Sequence, residues 1–343
     1  MRYTIFILLQ LLVAPTFSQS LDKKQLDQFL RNNQEELVGF KKGLNVKVVS
    51  KNEVLYQYQF GVINDDTAIP IASASKWLSG ALIMKLVDEK LITLNDPLKK
   101  FFPTVPQDKA NITIQQLFSH TSGMSGKGTL KLIRMNKNEM AEQCETIFKE
   151  KLIGKPGEYF SYGGHSMQVA GRIAELVGKK DFETLFQEKI AKPLEMKNTT
   201  FTKNEKTPQV GGGAHSSVND YLNLLSMMMN KGIFKGKRIL SETAINQLLA
   251  NQIGEAKVEY SPFTKYEKLF TPPIVMKYGI GNWREQDPKT GRLKISSSPG
   301  AFGFTPWIDF EHQYYGVLAT VKSMKEVFPI YIDFRNQLNA QLK

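Results

Sequence analysis

Apolar residues recur at helical spacing in "LDKKQLDQFLRNNQEELV" (Leu21, Leu26, Phe29, Leu30, Leu37), marking one face of a 3.6-residue period. The next two stretches, "GLNVKVVSKN" and "EVLYQYQFGVIN", alternate instead. They are rich in β-branched and aromatic residues, and "SKN" suits the turn between them, so they predict a β-hairpin. From about residue 73 to 200 helical periodicity dominates, punctuated by Pro and Gly. Helices are expected over 75–89, 112–118, 138–151, 164–177 and 181–191. Another is expected in "VNDYLNLLSMMMNKG", capped by Asn219 or Asp220. Strand patterns return in "LKISSSP", "GFTPWIDF" and "YYGVLATV", and "VFPIYIDFRNQLNAQLK" closes the chain as a helix.

Strand-forming sequence thus lies at both ends and helices lie between. The economical arrangement is an α+β fold: one antiparallel sheet built from both chain ends, terminal helices on one face, and an inserted, mostly helical domain. The helical part covers about 73–200, and the sheet part about 21–72 and 201–343. No internal repeat interrupts this plan.

The first residues, "MRYTIFILLQLLVAPTFSQS", follow a different pattern. One positive charge, an apolar run and small residues at Thr16, Ser18 and Ser20 match a secretory signal peptide. Cleavage is expected after Ser18 or Ser20, so 1–18 is the signal and 19–343 the mature domain. The run is too short for a membrane span. The expected location is periplasmic or secreted, with no stable span once the signal is removed.

Composition narrows the picture. A chain of 343 residues with 41% hydrophobic content has material for a large core. Its one cysteine, Cys144, cannot form an internal disulfide, so packing must hold an exported fold together. The formal net charge is +12, but the lysines are scattered along helical surfaces, with no arginine-rich run and no aromatic–basic alternation. That pattern argues against nucleic-acid binding. His120, His165, His215 and His312 lack metal-ligand spacing, and "SGKGT" at 125–129 lacks the Gly-Lys-Ser/Thr of a P-loop.

Candidate chemistry centres on "PIASASKWLSG", where Ser73 precedes Lys76 by three residues at the start of a helix. Positions i and i+3 share a helix face, so the amine can reach the hydroxyl. A serine is a weak nucleophile until a base takes its proton, and burial can lower a lysine's pKa far enough for it to serve. By itself the spacing also fits an ordinary helix start.

The wider pattern resembles the serine β-lactamase-like hydrolase family, which includes class C β-lactamases, D-Ala-D-Ala carboxypeptidases and related esterases. The likeness runs through "SASKWLSGALIMKLVDEKLITLNDPLKKFFP", "ITIQQLFSHTSGM", "GKPGEYFSYGG", "IAKPLEMKNTTF", "GGGAHSSVNDYLNLL" and "SPGAFGFTPWID", in the family's order. It implies that Ser73 is the acylated nucleophile and that Lys76 shares its proton. Tyr162 then matches the tyrosine of Tyr-x-Asn, the general base and proton shuttle, made easier to ionise by the neighbouring ammonium. The backbone N–H groups of Ser73 and Ala301 would form the oxyanion hole, and His120 would be structural. Gly164, Ser298 and Gly300 fall at substrate-binding positions. Two of these depart from the pattern: Gly164 replaces the asparagine, and Ser298 replaces a lysine or histidine. The resemblance implies an exported serine hydrolase needing no metal or organic cofactor, with a small ester, amide or lactam as substrate. An esterase fits the departures best. The alternatives are a β-lactamase or D-Ala-D-Ala carboxypeptidase, or a non-catalytic penicillin- or muropeptide-binding relative.

Overall fold

The computed structural model describes residues 21–126, 139–203 and 206–342. The expected signal peptide lies outside them. The principal elements, in chain order, are α1 (Lys23–Asn32), β1 (Gly43–Ser50), β2 (Glu53–Gly61), α2 (Ser75–Asp88), α3 (Met140–Phe148), α4 (His165–Gly178), α5 (Val218–Met229), β3 (Val275–Tyr278), β4 (Trp283–Gln286), β5 (Leu293–Ser297), β6 (Thr305–Asp309), β7 (Tyr314–Thr320) and α6 (Met324–Gln341).

The strands form a seven-stranded sheet in the order β2-β1-β7-β6-β5-β4-β3, and every neighbouring pair is antiparallel. The β1–β7 ladder pairs Leu44 with Thr320 and Ser50 with Tyr314, so the two chain ends meet in mid-sheet, as the α+β expectation requires. Alternation sorts the side chains of β7. Tyr314 and Leu318 enter the layer beneath α1 and α6 with Leu26, Leu30 and Tyr331. Tyr315, Val317 and Ala319 face the helical core around Trp77 and Leu82. A strand buried on both faces is apolar throughout, which explains why "YYGVLAT" is buried at every position.

Helix α2 runs through the helical core. Burial covers both its apolar residues and Ser75, Lys76 and Ser79, so its sequence is nearly apolar all round, as a central helix requires. Caps fix the neighbouring helices. The expected 112–118 helix is the shorter Ile114–Phe118, set by a capping box between Thr113 and Gln116. The cap of α5 is neither Asn219 nor Asp220. Ser217 takes that place and accepts from the Asp220 N–H. The 181–191 helix is α-helical only over Phe182–Phe186 and continues as a π-turn to Ala191.

Two features are absent from the sequence expectation. β3 and β4 complete the sheet edge across the tight "GIGN" turn. A short parallel ladder joins Tyr159–Ser161 to Lys257–Tyr260 and lays the segment after 257 against the strand that ends just before Tyr162. No helix among the described residues is long and apolar enough to cross a membrane.

Candidate active site

A tight 3₁₀ turn, Ala72–Ala74, carries Ser73 directly into α2. Ala72 sits at φ 45°, in the left-handed region that costs a non-glycine residue of order 1 kcal/mol. Ser73 is half-buried at the mouth of the turn. One helical turn on, the Lys76 amine lies 3.3 Å from the Ser73 hydroxyl and 2.5 Å from the Gly211 carbonyl. The Lys76 side chain is buried, and burial alone pulls its pKa from 10.5 down to about 7. No carboxylate contributes to that shift, so a substantial share of this amine is neutral near pH 7.

Tyr162 reaches the same point from the other wall. Its backbone is held by the Tyr260 carbonyl at 3.0 Å, it lines the same cavity as Ser73, and its ring centroid is 4.8 Å from the Lys76 amine. Burial raises its pKa, outweighing the opposing influence of the neighbouring Ser73 and Trp283. This reverses the expectation of a readily ionised phenol: desolvation decides the sign, and at neutral pH Tyr162 is a hydroxyl. His120 packs edge-tilted on the Tyr162 ring at 4.8 Å and on Tyr278 at 4.9 Å. Burial, then the nearby Lys76, holds its pKa well below 6.5. A neutral ring in an aromatic cluster is a packing element, as expected of it.

These groups open into a cavity of about 530 Å³ whose walls include Gly164, Tyr260, Pro299, Ala301, Phe302 and Met324. Lys76 is the one charged side chain lining it among the described residues. A larger cleft, about 900 Å³, lies between β1 and α5 beside Lys47, Asn219 and Tyr315. None of the candidate catalytic or substrate-binding residues lines it, and Ser73, Lys76 and Tyr162 all lie at the smaller cavity.

Two expected substrate contacts fall elsewhere. Ser298 and Gly300 do not line the cavity. The Ser298 side chain is buried and its hydroxyl donates inward to the Ser73 carbonyl at 3.2 Å. Gly300 is glycine because the Ile71 carbonyl would lie 2.1 Å from any Cβ there. Both therefore support the turn that carries Ser73. Gly164 and Ala301 do line the cavity. Cys144 is buried and its thiol is pushed up to about 12 by that burial, which leaves it inert. Sequence reasoning missed Gln168, Gly211 and the Tyr260–Phe263 wall. "GGGAHSS" marked the Gly211 loop, but nothing in the sequence tied it to Lys76.

Comparison with known proteins agrees with this architecture. The model of the Beta-lactamase family matches residues 30–324. A β-lactamase candidate from Bacteroides dorei DSM 17855 superposes with a TM-score of 0.81 at 32% identity, covering 93% of this chain and 99% of that one. The octameric penicillin-binding protein homologue of Pyrococcus abyssi gives 0.74 at 21% identity, covering 93% and 77%, a likeness of fold. Among curated proteins, Protein flp of Staphylococcus aureus (strain MW2) is 29% identical over 192 residues, 52% of this chain and 38% of its own length. The D-alanyl-D-alanine-carboxypeptidase/endopeptidase AmpH of Escherichia coli (strain K12) is 24% identical over 266 residues, 69% of this chain and 66% of its own length. The matched region therefore spans less than two thirds of either curated relative. The antiparallel sheet, the buried helix behind the Ser-x-x-Lys turn and a family match over most of its length place the chain in the beta-lactamase family of serine hydrolases.

Proposed function

We propose that this chain is an exported serine hydrolase that forms an acyl-enzyme on Ser73 and prefers neutral esters. The observation that carries the chemistry is a buried amine with a pKa of about 7, 3.3 Å from a serine hydroxyl. Neutral Lys76 takes the Ser73 proton as Oγ bonds to the substrate carbonyl carbon. The N–H groups of Ser73 and Ala301 receive the oxyanion. As the C–O bond to the leaving alcohol breaks, the Tyr162 hydroxyl supplies its proton and recovers one from the Lys76 ammonium. Water then attacks the acyl carbon, its proton returns through the same pair, and Ser73 leaves as the hydroxyl. A hydroxyl-form Tyr162 suits the acid step, and a depressed Lys76 suits the base step.

The ester preference rests on the lining. Lys76 is committed to Ser73 and Gly211, and Ser298 points away, so no second cationic side chain among the described lining residues is left to meet a substrate carboxylate. A charge-assisted hydrogen bond contributes roughly 1.5–3 kcal/mol, or about one to two powers of ten in rate. The rival reading is peptide or lactam hydrolysis, and the likeness to AmpH favours it. The test compares kcat/KM for short-chain p-nitrophenyl esters, a chromogenic cephalosporin and a D-Ala-D-Ala peptide on one preparation. Esters should lead by at least tenfold, and a lead for the cephalosporin or the peptide would replace the ester reading. The segment 1–18 would direct export to the periplasm or medium.

A further inference from the structure

A neutral amine has two N–H donors and one lone pair. To act as a base toward Ser73, Lys76 must aim the lone pair at the hydroxyl, and rotation about its last side-chain bonds would spoil that aim. The 2.5 Å bond to the Gly211 carbonyl removes this freedom. A carboxylate would hold the amine as firmly but would keep it protonated. A peptide carbonyl orients it without a full countercharge.

The position of the Gly211 oxygen therefore sets the base geometry, and the loop that bears it is tied internally only by the Gly212 and Gly213 N–H groups, which donate to the Gln209 carbonyl at 3.0 and 2.8 Å. Residues 211–213 are all glycine. A Cβ at Gly211 would lie 3.3 Å from the Lys76 amine and 3.5 Å from the Gly164 Cα, so a side chain there would press on the amine. Further restraint comes from outside. On one side Ser79 donates to the Val210 carbonyl at 2.7 Å and Ser75 accepts from the Ala214 N–H at 3.0 Å, both from the helix of Lys76 itself. On the other side stands Gln168, a buried residue of α4. Its Oε1 accepts from the Val210 N–H at 3.1 Å, and its Nε2 donates to the Pro208 carbonyl at 2.8 Å. It thus grips the backbone on both sides of residue 209 and stops one residue short of Gly211. The same Nε2 also donates to Gln143 on α3 at 2.8 Å, a contact that holds none of the loop.

We propose that Gln168 is a positioning residue: through the Gly211 carbonyl it keeps the Lys76 lone pair on the Ser73 hydroxyl. The inference rests on the acyl-enzyme reading above. Gln168 acts on the proton transfer from Ser73 Oγ to Lys76 Nζ, so its loss appears in kcat and in the rate of Ser73 acylation, with substrate binding spared.

The experiment uses Gln168→Met, close in size but without either loop bond, and Gln168→Glu, which keeps the acceptor for Val210 and loses the donor to Pro208. Gln143→Met serves as a stability comparator. With a short p-nitrophenyl ester, both Gln168 variants should lose about 10- to 100-fold in kcat, the scale of a misplacement near 1 Å, with KM within about threefold. Fluorophosphonate labelling of Ser73 should slow by a similar factor. Gln143→Met should lower the melting temperature while kcat stays within about threefold. Folded Gln168 variants with kcat and labelling within twofold of wild type overturn the clamp, as does a loss confined to KM, which would make Gln168 a substrate contact. If Gln168→Met does not fold, Gln168→Glu carries the same comparison. A wild-type protein that neither labels at Ser73 nor cleaves an ester overturns the proposed function and the clamp together. A labelled wild type with indifferent Gln168 variants overturns the clamp alone.

Discussion

The Ser298 hydroxyl donates to the backbone carbonyl of Ser73 at 3.2 Å and stays out of the cavity. The position where the family resemblance implied a lysine or histidine is here a brace for the turn that carries Ser73. Replacing it with a cation does not add a carboxylate receptor. A lysine at 298 would have to bury its stem and charge beside the carbonyls of Ser73 and Gly281, at a cost of several kcal/mol unless paired. Ser298→Lys is predicted to melt several degrees below wild type and to gain less than tenfold toward a chromogenic cephalosporin. A variant with unchanged melting temperature and a large gain in cephalosporin turnover would place this side chain in the cavity after all.

The depressed Lys76 pKa also appears in stability. Between about pH 7 and 10.5 the unfolded chain binds the lysine proton and the folded chain does not, so stability rises with pH across that window. The cost is complete below about pH 7 and absent above 10.5. Each pKa unit corresponds to roughly 1.4 kcal/mol, which makes the full cost on the order of a few kcal/mol. Lys76→Met should therefore melt higher than wild type at pH 6, and the gap should close toward pH 10. Thermal melts at four pH values check this, and a lower melting temperature at every pH would mean that the Gly211 bond outweighs the burial cost.

Activity should follow the same titration. With neutral Lys76 as the proposed base, kcat/KM for an ester should fall with unit slope as pH drops below about 7. His120 does not set this limb, because burial holds it neutral to well below 6.5. A profile flat to pH 5 would remove Lys76 from the base role.

In the proposed mechanism Tyr162 and Lys76 handle one proton in turn, and groups acting as a unit are not additive. Tyr162→Phe keeps the ring that packs on His120 and Trp283 and deletes only the hydroxyl. It should lower kcat by about 10²–10⁴-fold, the usual range for a positioned acid or base, and Lys76→Met should do likewise. The double variant should be little worse than either. Losses that multiply would mean the two residues act independently.

Much of this molecule is legible in the chain. The alternation of "GLNVKVVS" and the continuous apolar run of "YYGVLAT" read as strands at both chain ends, and the near-uniform apolarity after Ser73 marks a helix. The Ser73–Lys76 pairing follows from helical spacing. What stayed hidden depends on contacts distant in sequence. Lys76 meets Gly211 across 135 positions, and Ser298 meets the Ser73 carbonyl across 225. No local pattern encodes either contact. The sign of the Tyr162 shift was also out of reach, because it depends on how completely the ring is buried. Strands β3 and β4 escaped because four-residue edge segments carry too little periodicity.

The central claim is a covalent intermediate on Ser73. Intact-mass spectrometry after treatment with a fluorophosphonate, followed by peptide mapping, tests it most directly. A single adduct is expected on the peptide containing Ser73, abolished in Ser73→Ala and slowed in Lys76→Met. Labelling that persists in Ser73→Ala, or that maps to another residue, would contradict it.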